Sequence, residues 1–287
     1  MGKGKEKYRF LLIPAFRLPE NSRFGSDKSS LPKEAALMNY HLVKDLLADV
    51  AWDLHKGALT TYGDWQVENR EEFCYAAAAR LPIVKEACES GRYNAIILLG
   101  GGQPGFLESR EIARKYRIAV TACAFAQMHM ATMLGNKFGV IDFAECHNMY
   151  YHHLVVQHRF EDRCACIRNI NYYHPRPGYH GEPSLHDEKE KALRGEPSEA
   201  VERAVNEAVA AIEEDGAEVI TFGCSGVFWL QPFVQERLMK MGWEIPVLEG
   251  YSCAIALAKA FVDLGVDASG LTFPGDRPTR WRRKKTF

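Results

Sequence analysis

Cys224 lies where a parallel α/β protein places its reactive groups. It directly follows the apolar run AEVITF at 217–222 and precedes a segment, containing Pro232, that is typical of a helix start. Backbone N–H groups and the positive end of a helix dipole at such a turn favour a thiolate or an anionic ligand. We therefore expect a lowered pKa for this thiol and a role in proton transfer. The alternative is a buried structural cysteine in a tight turn.

The residues beside Cys224 suit close contact with a small ligand. Gly223 and Gly226 allow the backbone to approach a ligand, and Ser225 adds a hydroxyl group. A second glycine-rich turn, GGGQPG at 100–105, follows another apolar run. We predict that the two turns line one substrate-binding site, to which these residues contribute: Gly100, Gly101, Gly102, Gln103, Ser225 and Gly226.

Compact apolar runs alternate with helix-period segments along the chain. The clearest helix is predicted over 198–214, where apolar residues recur on one face and Gly216 follows the end. Alternation of strand and helix favours parallel sheets, whose ligands bind at the carboxyl ends of the strands. Both turns lie at such ends. The predicted buried strands cover 8–13, 94–99, 118–122, 137–142, 217–222 and 245–248.

Two segments have the same order of predicted elements. Residues 94–139 run strand, glycine-rich turn, helix, strand, helix, and residues 217–265 repeat that order. The repeat places Gly100 or Gly101 opposite Cys224, depending on a one-residue choice in the alignment. We therefore predict an α/β fold of two pseudo-symmetric, doubly wound, flavodoxin-like lobes with parallel sheets and the active site between them. The predicted first lobe is 1–117 plus 245–287, and the second is 118–244.

Composition limits the kinds of partner. With 287 residues, 47% of them hydrophobic, the chain can bury a large core, and a net charge of −1 gives no general attraction to nucleic acid or a membrane surface. A small-molecule substrate is the expected partner. The eight scattered cysteines, and a first segment without an adequate signal-peptide core, predict reduced thiols and a cytoplasmic location. The basic end at 277–285 is typical of a solvated or subunit-contacting tail, and we expect a homo-oligomer.

Several motifs are similar to those of the aspartate/glutamate/hydantoin racemase superfamily. AEVITFGCSG, followed by IPVLEGYSCAIALAKAFVDLG, resembles the second-cysteine region of hydantoin and allantoin racemases. GGGQPGFLESREIARKYRIAV and AQMHMATMLGNKFGVI resemble the first-cysteine region, and RCACIRNI resembles a later strand of the family. The resemblance covers about residues 94–265.

The resemblance implies a racemase or epimerase that needs no metal, pyridoxal or other cofactor. In that family two thiols on opposite faces of the substrate exchange a proton through an enolate-like intermediate, and Cys224 matches the second thiol. The substrate class would be a small carboxylate- or amide-containing molecule. Glu249 occupies the place of an acid in the family's PVIDG-type strand and would orient other groups. Arg17 follows the first strand, where it could bind an anionic substrate.

The glycine bend departs from the family pattern. Where the first cysteine should stand, the sequence has Gly100-Gly101-Gly102-Gln103, which offers no group able to exchange a proton. Arylmalonate decarboxylase, in the same superfamily, also has glycine there, so a single-cysteine decarboxylase or lyase is one alternative and a catalytically silent binding protein is another. In a racemase the missing base would come from Cys123 or from the Cys146–His147 pair.

Other known sites match the sequence less well. Gly100, Gly102 and Gly105 form a GxGxxG pattern, but Pro104 interrupts it and no acidic residue ends the next strand, which disfavours a dinucleotide site. GCSG is not a hydrolase nucleophile elbow. The histidines and cysteines between 146 and 186 lack matched zinc-ligand spacing, and HNMYYHHLVVQHRF is more typical of a helix at a subunit contact.

Long polar segments follow two of the strands. Residues 17–32 and 173–196 are rich in turn-forming and charged residues, and we predict both as irregular surface loops that could cover the site.

Overall fold

A computed structural model of the chain describes residues 6–25, 28, 30–180, 184–275 and 280. The basic end, apart from Arg280, lies outside these residues. The strands are β1 (Tyr8–Ile13), β2 (Val50–Leu54), β3 (Ala95–Leu98), β4 (Ala119–Ala122), β5 (Phe138–Asp142), β6 (Cys164–Asn169) and β7 (Val219–Phe222). The α-helices are α1 (Lys33–Ala36), α2 (Tyr40–Val43), α3 (Arg70–Glu89), α4 (Phe106–Arg114), α5 (Cys123–Leu134), α6 (Asn148–Gln157), α7 (Leu185–Leu193), α8 (Glu199–Glu213), α9 (Gln231–Lys240) and α10 (Gly250–Leu264). Short 3-10 helices cover Glu145–His147 and Ser225–Leu230.

The strands form two parallel sheets, as predicted. The first has the order β2-β1-β3-β4 and the second the order β6-β5-β7. In the first sheet Leu12 of β1 lies beside Ile97 of β3, and both are fully buried. Helices cover both faces of such a sheet, which explains why the central strands are continuous apolar runs. The predicted α/β class with two parallel-sheet lobes is therefore confirmed.

The predicted strands match the structure with one clear exception. The run at 245–248 forms only an isolated parallel bridge between Val247 and Ile220, so the predicted strand there is wrong in extent. Pro246 lacks a backbone N–H and shortens the possible ladder. The edge strand β2 was not predicted, because Asp53 interrupts its short apolar run and the strand is only partly buried.

The two repeated segments contain the same order of elements. The first runs β3, α4, β4, α5, and the second runs β7, α9, the Val247 bridge and α10. Helices α5 and α10 pack against each other. At their first residues the packing is close, since a Cβ atom on Gly250 would lie 2.5 Å from Cβ of Cys123. Glycine at 250 therefore lets the amino ends of the two helices meet.

The lobe boundaries remain a prediction, but sheet membership bears on them. β4 pairs with β3 in the first sheet, whereas the predicted boundary after residue 117 assigned it to the second lobe. Val247 bridges to β7 of the second sheet, whereas the predicted boundary assigned it to the first lobe. If the lobes are defined by the two sheets, the chain passes from the first lobe to the second after β4. It returns to the first sheet only with α10, which packs on β3 and β4.

Residues 173–196 contain a helix that the loop prediction missed. The segment is irregular through 180, but α7 follows, and the Ser184 side chain accepts a hydrogen bond from the Asp187 amide at its start. Its sequence LHDEKEKAL consists mostly of good helix formers, which the preceding proline- and glycine-rich stretch obscured. Helix α8 agrees with its prediction, and Ser198 caps it. Among the described residues, no helix is both long and apolar enough to cross a membrane.

Candidate active site

The two glycine-rich turns meet at the carboxyl ends of β3 and β7. A Cβ atom on Gly101 would overlap the carbonyl oxygen of Gly223 and lie 2.8 Å from Cα of Cys224. Gly101, rather than Gly100, is therefore the residue facing Cys224. Because the two backbones are already in contact, only glycine fits at 101 without a shift of one turn.

Cys224 begins the 3-10 helix Ser225–Leu230 with its own side chain as the cap. The Gly226 amide donates to Sγ at 3.4 Å, and Cys224 is half-buried. Burial raises the pKa of the thiol well above its usual value, and the nearby Asp142 carboxylate raises it further, while the Gly226 amide opposes both. The expected lowering of this pKa is therefore wrong. One amide hydrogen bond and a 3-10 turn do not offset desolvation and a nearby anion.

A buried acid fixes the backbone of Cys224 from behind. Oδ1 of Asp142 accepts hydrogen bonds from the amides of Cys224 at 2.9 Å and Phe143 at 2.8 Å. Oδ2 of the same carboxylate lies 2.8 Å from Nδ1 of His147, and both side chains are buried. Asp142 is not among the predicted site residues. An acidic residue at the end of a predicted buried strand is, however, a signal that could have identified it. Of the proposed Cys146–His147 pair, only His147 joins this network, since Cys146 is exposed.

His174 is the side chain that the structure places against the thiol. Its Nε2 lies 4.0 Å from Sγ of Cys224, and its ring packs on Phe143 with centroids 4.5 Å apart. The His174 amide donates to Oε1 of Glu68 at 3.2 Å. Burial lowers the pKa of this imidazole to about 4, with His147 contributing to the lowering. No pattern in the sequence indicates this contact, because His174 lies in an irregular segment 50 positions before Cys224.

Ser225 is held by two neighbours. Its carbonyl oxygen accepts a hydrogen bond from Nδ2 of Asn39 at 3.1 Å, and Oδ1 of Asn39 accepts one from Lys189 at 2.8 Å. The hydroxyl of Tyr251 also hydrogen-bonds to Ser225, although burial keeps the tyrosine pKa raised. The turn that carries Cys224 is therefore fixed from α7, α10 and the segment before α2.

The bend at 100–103 is shaped from within the fold. Gly100 has a φ of +102°, which favours glycine, and Gly102 packs where a side chain would overlap Phe73. Gln103 is buried, and its amide group bonds the Phe125 amide and the His158 ring. Gln103 therefore caps α5, and its contact with substrate stays a prediction.

Arg80 holds the bend in place from α3. The guanidinium is fully buried and donates to the backbone carbonyls of Ile13, Pro14, Leu99 and Pro104 at 2.6 to 3.3 Å. Burial lowers its pKa to about 10. Because the guanidinium still remains protonated at neutral pH, a positive charge lies directly beneath the bend.

Three further predicted site residues are Cys123, Glu249 and Arg17. Cys123 is fully buried, its thiol contacts the carbonyl of Leu98 at 3.6 Å, and burial raises its pKa well above the usual value. Glu249 is buried as the cap of α10, accepting from the Tyr251 and Ser252 amides. The backbone of Arg17 bridges to Leu59 beyond β1. Of these, Cys123 is too enclosed for the role of the missing base.

A cavity of about 230 Å³ is lined by residues of the glycine-rich turn, α3, α4 and α6. Its walls include Arg70, Phe73, Gln103, Tyr150 and Gln157, but not Cys224. The thiol of Cys224 is therefore not part of the wall of this cavity. In the described part of the chain, no group of three or more His, Cys, Asp or Glu side chains is arranged to hold a metal ion.

Comparison with known proteins adds a family and a fold. Residues 51–258 match the family model described as Asp/Glu/hydantoin racemase. The hydantoin racemase of Paenarthrobacter aurescens is 26% identical over 196 residues, which are 67% of this chain and 73% of that protein. The allantoin racemase from Klebsiella pneumoniae has a similar structure, with a TM-score of 0.67, 20% identity and 95% of each chain covered. Unliganded arylmalonate decarboxylase is also similar, with a TM-score of 0.52, 12% identity, and 89% of this chain and 92% of that chain covered.

Proposed function

This chain belongs to the Asp/Glu/hydantoin racemase family, and from that premise we propose that it is a cofactor-independent racemase or epimerase. Its substrate is a small carboxylate- or amide-containing molecule, and Cys224 donates and accepts the proton through an enolate-like intermediate. The observation that carries the proposal is the position of Sγ. It follows the carboxyl end of β7, lies 3.4 Å from the Gly226 amide, and belongs to a turn whose backbone contacts the glycine bend.

The turn around Cys224 supplies a donor for the negative charge that the reaction creates. Removing a proton next to a carbonyl group moves charge onto the carbonyl oxygen, which an aligned amide can stabilise. The amides of Gly223, Cys224 and Gly226 already donate to Ile141, to Asp142 and to Sγ. We therefore assign the oxyanion contact at this turn to the Ser225 amide, with the buried charge of Arg80 favouring an anion near the bend.

A carbon–carbon lyase of the decarboxylase type is the second candidate. A racemase exchanges protons on both faces of a carbon, but the residue facing Cys224 is Gly101, and the Gly223 backbone leaves no room for a side chain there. In a lyase, carbon dioxide leaves and a single thiol protonates the resulting enolate. The packing of Gly101 favours this one-sided chemistry.

Deuterium labelling separates the two candidates. The protein is incubated in D₂O with single enantiomers of hydantoins, amino acids and 2-hydroxy acids, and with substituted malonates. Deuterium uptake with loss of optical rotation supports the isomerase, whereas carbon dioxide release with deuterium on one face supports the lyase. Binding of a panel member without exchange or gas release would contradict both and support a binding protein.

Two cysteine variants test the assignment of the thiol. Cys224→Ser is expected to abolish whichever reaction is detected, because a serine hydroxyl is too weak an acid to replace the thiol. The matched control is Cys74→Ser, an exposed thiol on α3, which is expected to leave activity unchanged. Full activity in Cys224→Ser would refute the role of Cys224.

A further inference from the structure

We propose that His174 is the proton partner of Cys224: its Nε2 takes the thiol proton when Cys224 acts as a base and returns a proton when Cys224 acts as an acid. This inference rests on the proposed function and adds to it a residue outside the two glycine-rich turns. His174 would act on the reacting sulfur rather than on the substrate, so it is a positioning and proton-relay residue.

The geometry brings the imidazole and the thiol into one small space. Nε2 and Sγ are 4.0 Å apart, at the outer limit of a thiol hydrogen bond. Gly226 leaves the space between them open, since a Cβ atom there would lie 3.5 Å from Sγ and 3.6 Å from Cε1 of His174. A shift of a few tenths of an ångström on ligand binding would complete the contact.

The position of His174 is fixed from the opposite half of the molecule. Its segment follows β6 of the second sheet, yet its amide donates to Glu68, which precedes α3. Arg176 reinforces this link, with hydrogen bonds to Glu68 at 2.5 Å and to Glu72 at 2.7 Å. Both carboxylates are buried. The segment 172–176 therefore spans the two halves as a strap that presents the imidazole to the thiol.

Both side chains of the pair are uncharged at neutral pH, and moving the thiol proton to Nε2 costs free energy because burial disfavours both ions. Burial and His147 lower the His174 pKa to about 4, although Asp142 opposes them, and burial raises the pKa of Cys224. At neutral pH the pair is therefore S–H beside a neutral ring. The charged and titratable groups facing the pair are Glu68, Asp142, Cys146, His147 and Arg176.

Proton and charge balance in both candidate reactions. In the isomerase, Nε2 takes the S–H proton, the thiolate takes the substrate proton, and the imidazolium offsets the charge of the enolate. A water molecule then protonates the opposite face of the carbon, and the imidazolium returns its proton to the hydroxide that this step leaves. In the lyase, the thiol gives its proton to the enolate left by carbon dioxide, and the imidazole carries a proton from water back to the thiolate. Neither sequence needs an oxidant or a further reactant.

The test compares His174→Gln with His180→Gln, an exposed histidine further along the same segment. We expect His174→Gln to lower kcat about 100-fold with little change in KM, as for loss of a general base, and added imidazole to restore part of the rate. The wild-type rate should fall as pH approaches 4, where His174 becomes charged, and this fall should be absent from the variant. His180→Gln should behave as wild type. An unchanged kcat in His174→Gln would overturn the inference while leaving the proposed function intact.

A second readout does not depend on knowing the substrate. Alkylation of Cys224 by iodoacetamide at pH 7, followed by peptide mass spectrometry, should slow about tenfold in His174→Gln, because the base that assists thiolate formation is lost. Exposed Cys74 is the internal reference and should react equally in both proteins. A Cys224 rate that is equal or higher in the variant would show that His174 only shields the thiol.

Discussion

Replacing Gly101 by alanine tests whether the two turns are in direct backbone contact. A Cβ atom at 101 would lie 2.7 Å from the carbonyl carbon of Gly223 and 2.8 Å from Cα of Cys224. The same Cβ atom would overlap the carbonyl oxygen of Gly223, and carbon and oxygen normally approach no closer than about 3.3 Å, so one turn must move by more than about 1.5 Å. Since the obstructing atoms are backbone, we expect a loss of about 3 kcal/mol in the free energy of unfolding, at the upper end for overpacked cores.

The measurement is urea unfolding of Gly101→Ala beside Gly226→Ala. Gly226 lies in the same site, but its added Cβ would make only contacts of 3.5 Å or more, so its cost should stay below about 0.5 kcal/mol. Gly101→Cys should lose at least as much stability as Gly101→Ala and should gain no second proton-exchange activity. Equal midpoints for the two alanine variants would refute the backbone contact, and with it the steric reason for a single thiol.

Three further changes have defined outcomes. Arg80→Met should lower the thermal midpoint by an amount equivalent to about 3 kcal/mol, because several buried carbonyls lose their donor; an unchanged midpoint would contradict this. Asp142→Asn removes a negative charge that raises the Cys224 pKa, so alkylation of Cys224 at pH 8 should accelerate relative to that of Cys74. A slower alkylation of Cys224 would contradict this effect of Asp142. Burial lowers the His158 pKa to about 4, below its unfolded value of about 6.5, so the folded state binds fewer protons and stability should fall as pH drops from 6.5 to 4. His158→Gln should flatten that slope in denaturant titrations, and an identical slope would refute the assignment.

Much of the fold could be predicted because the hydrophobic pattern of each segment agrees with the element that the segment forms. β3 and β7 are short apolar runs buried on both faces, and each leads into a glycine-rich turn, so both strands and turns could be placed from sequence. β2 could not, because it is a partly buried edge strand whose apolar run is interrupted by Asp53. The helix α7 was hidden by the turn-rich residues before it.

The site was predictable only where a residue's neighbours in sequence define its surroundings. The turn that carries Cys224 was found because strand, glycine and helix start are adjacent in the chain. His174 reaches the thiol through Glu68 and Arg176, contacts that join distant segments and leave no periodic trace. The direction of the thiol pKa was wrong for the same reason, since the Asp142 carboxylate and the degree of burial are set by tertiary packing.

Ion pairs hold the strap formed by 172–176 in place beside the thiol of Cys224. A ligand that approaches Cys224 from that side meets a segment held by Arg176 on two buried carboxylates, Glu68 and Glu72. Such pairs weaken when dissolved ions compete for them at the partly exposed guanidinium. Raising the salt concentration should therefore increase the rate at which the cleft admits large reagents, before it changes anything at the sulfur itself.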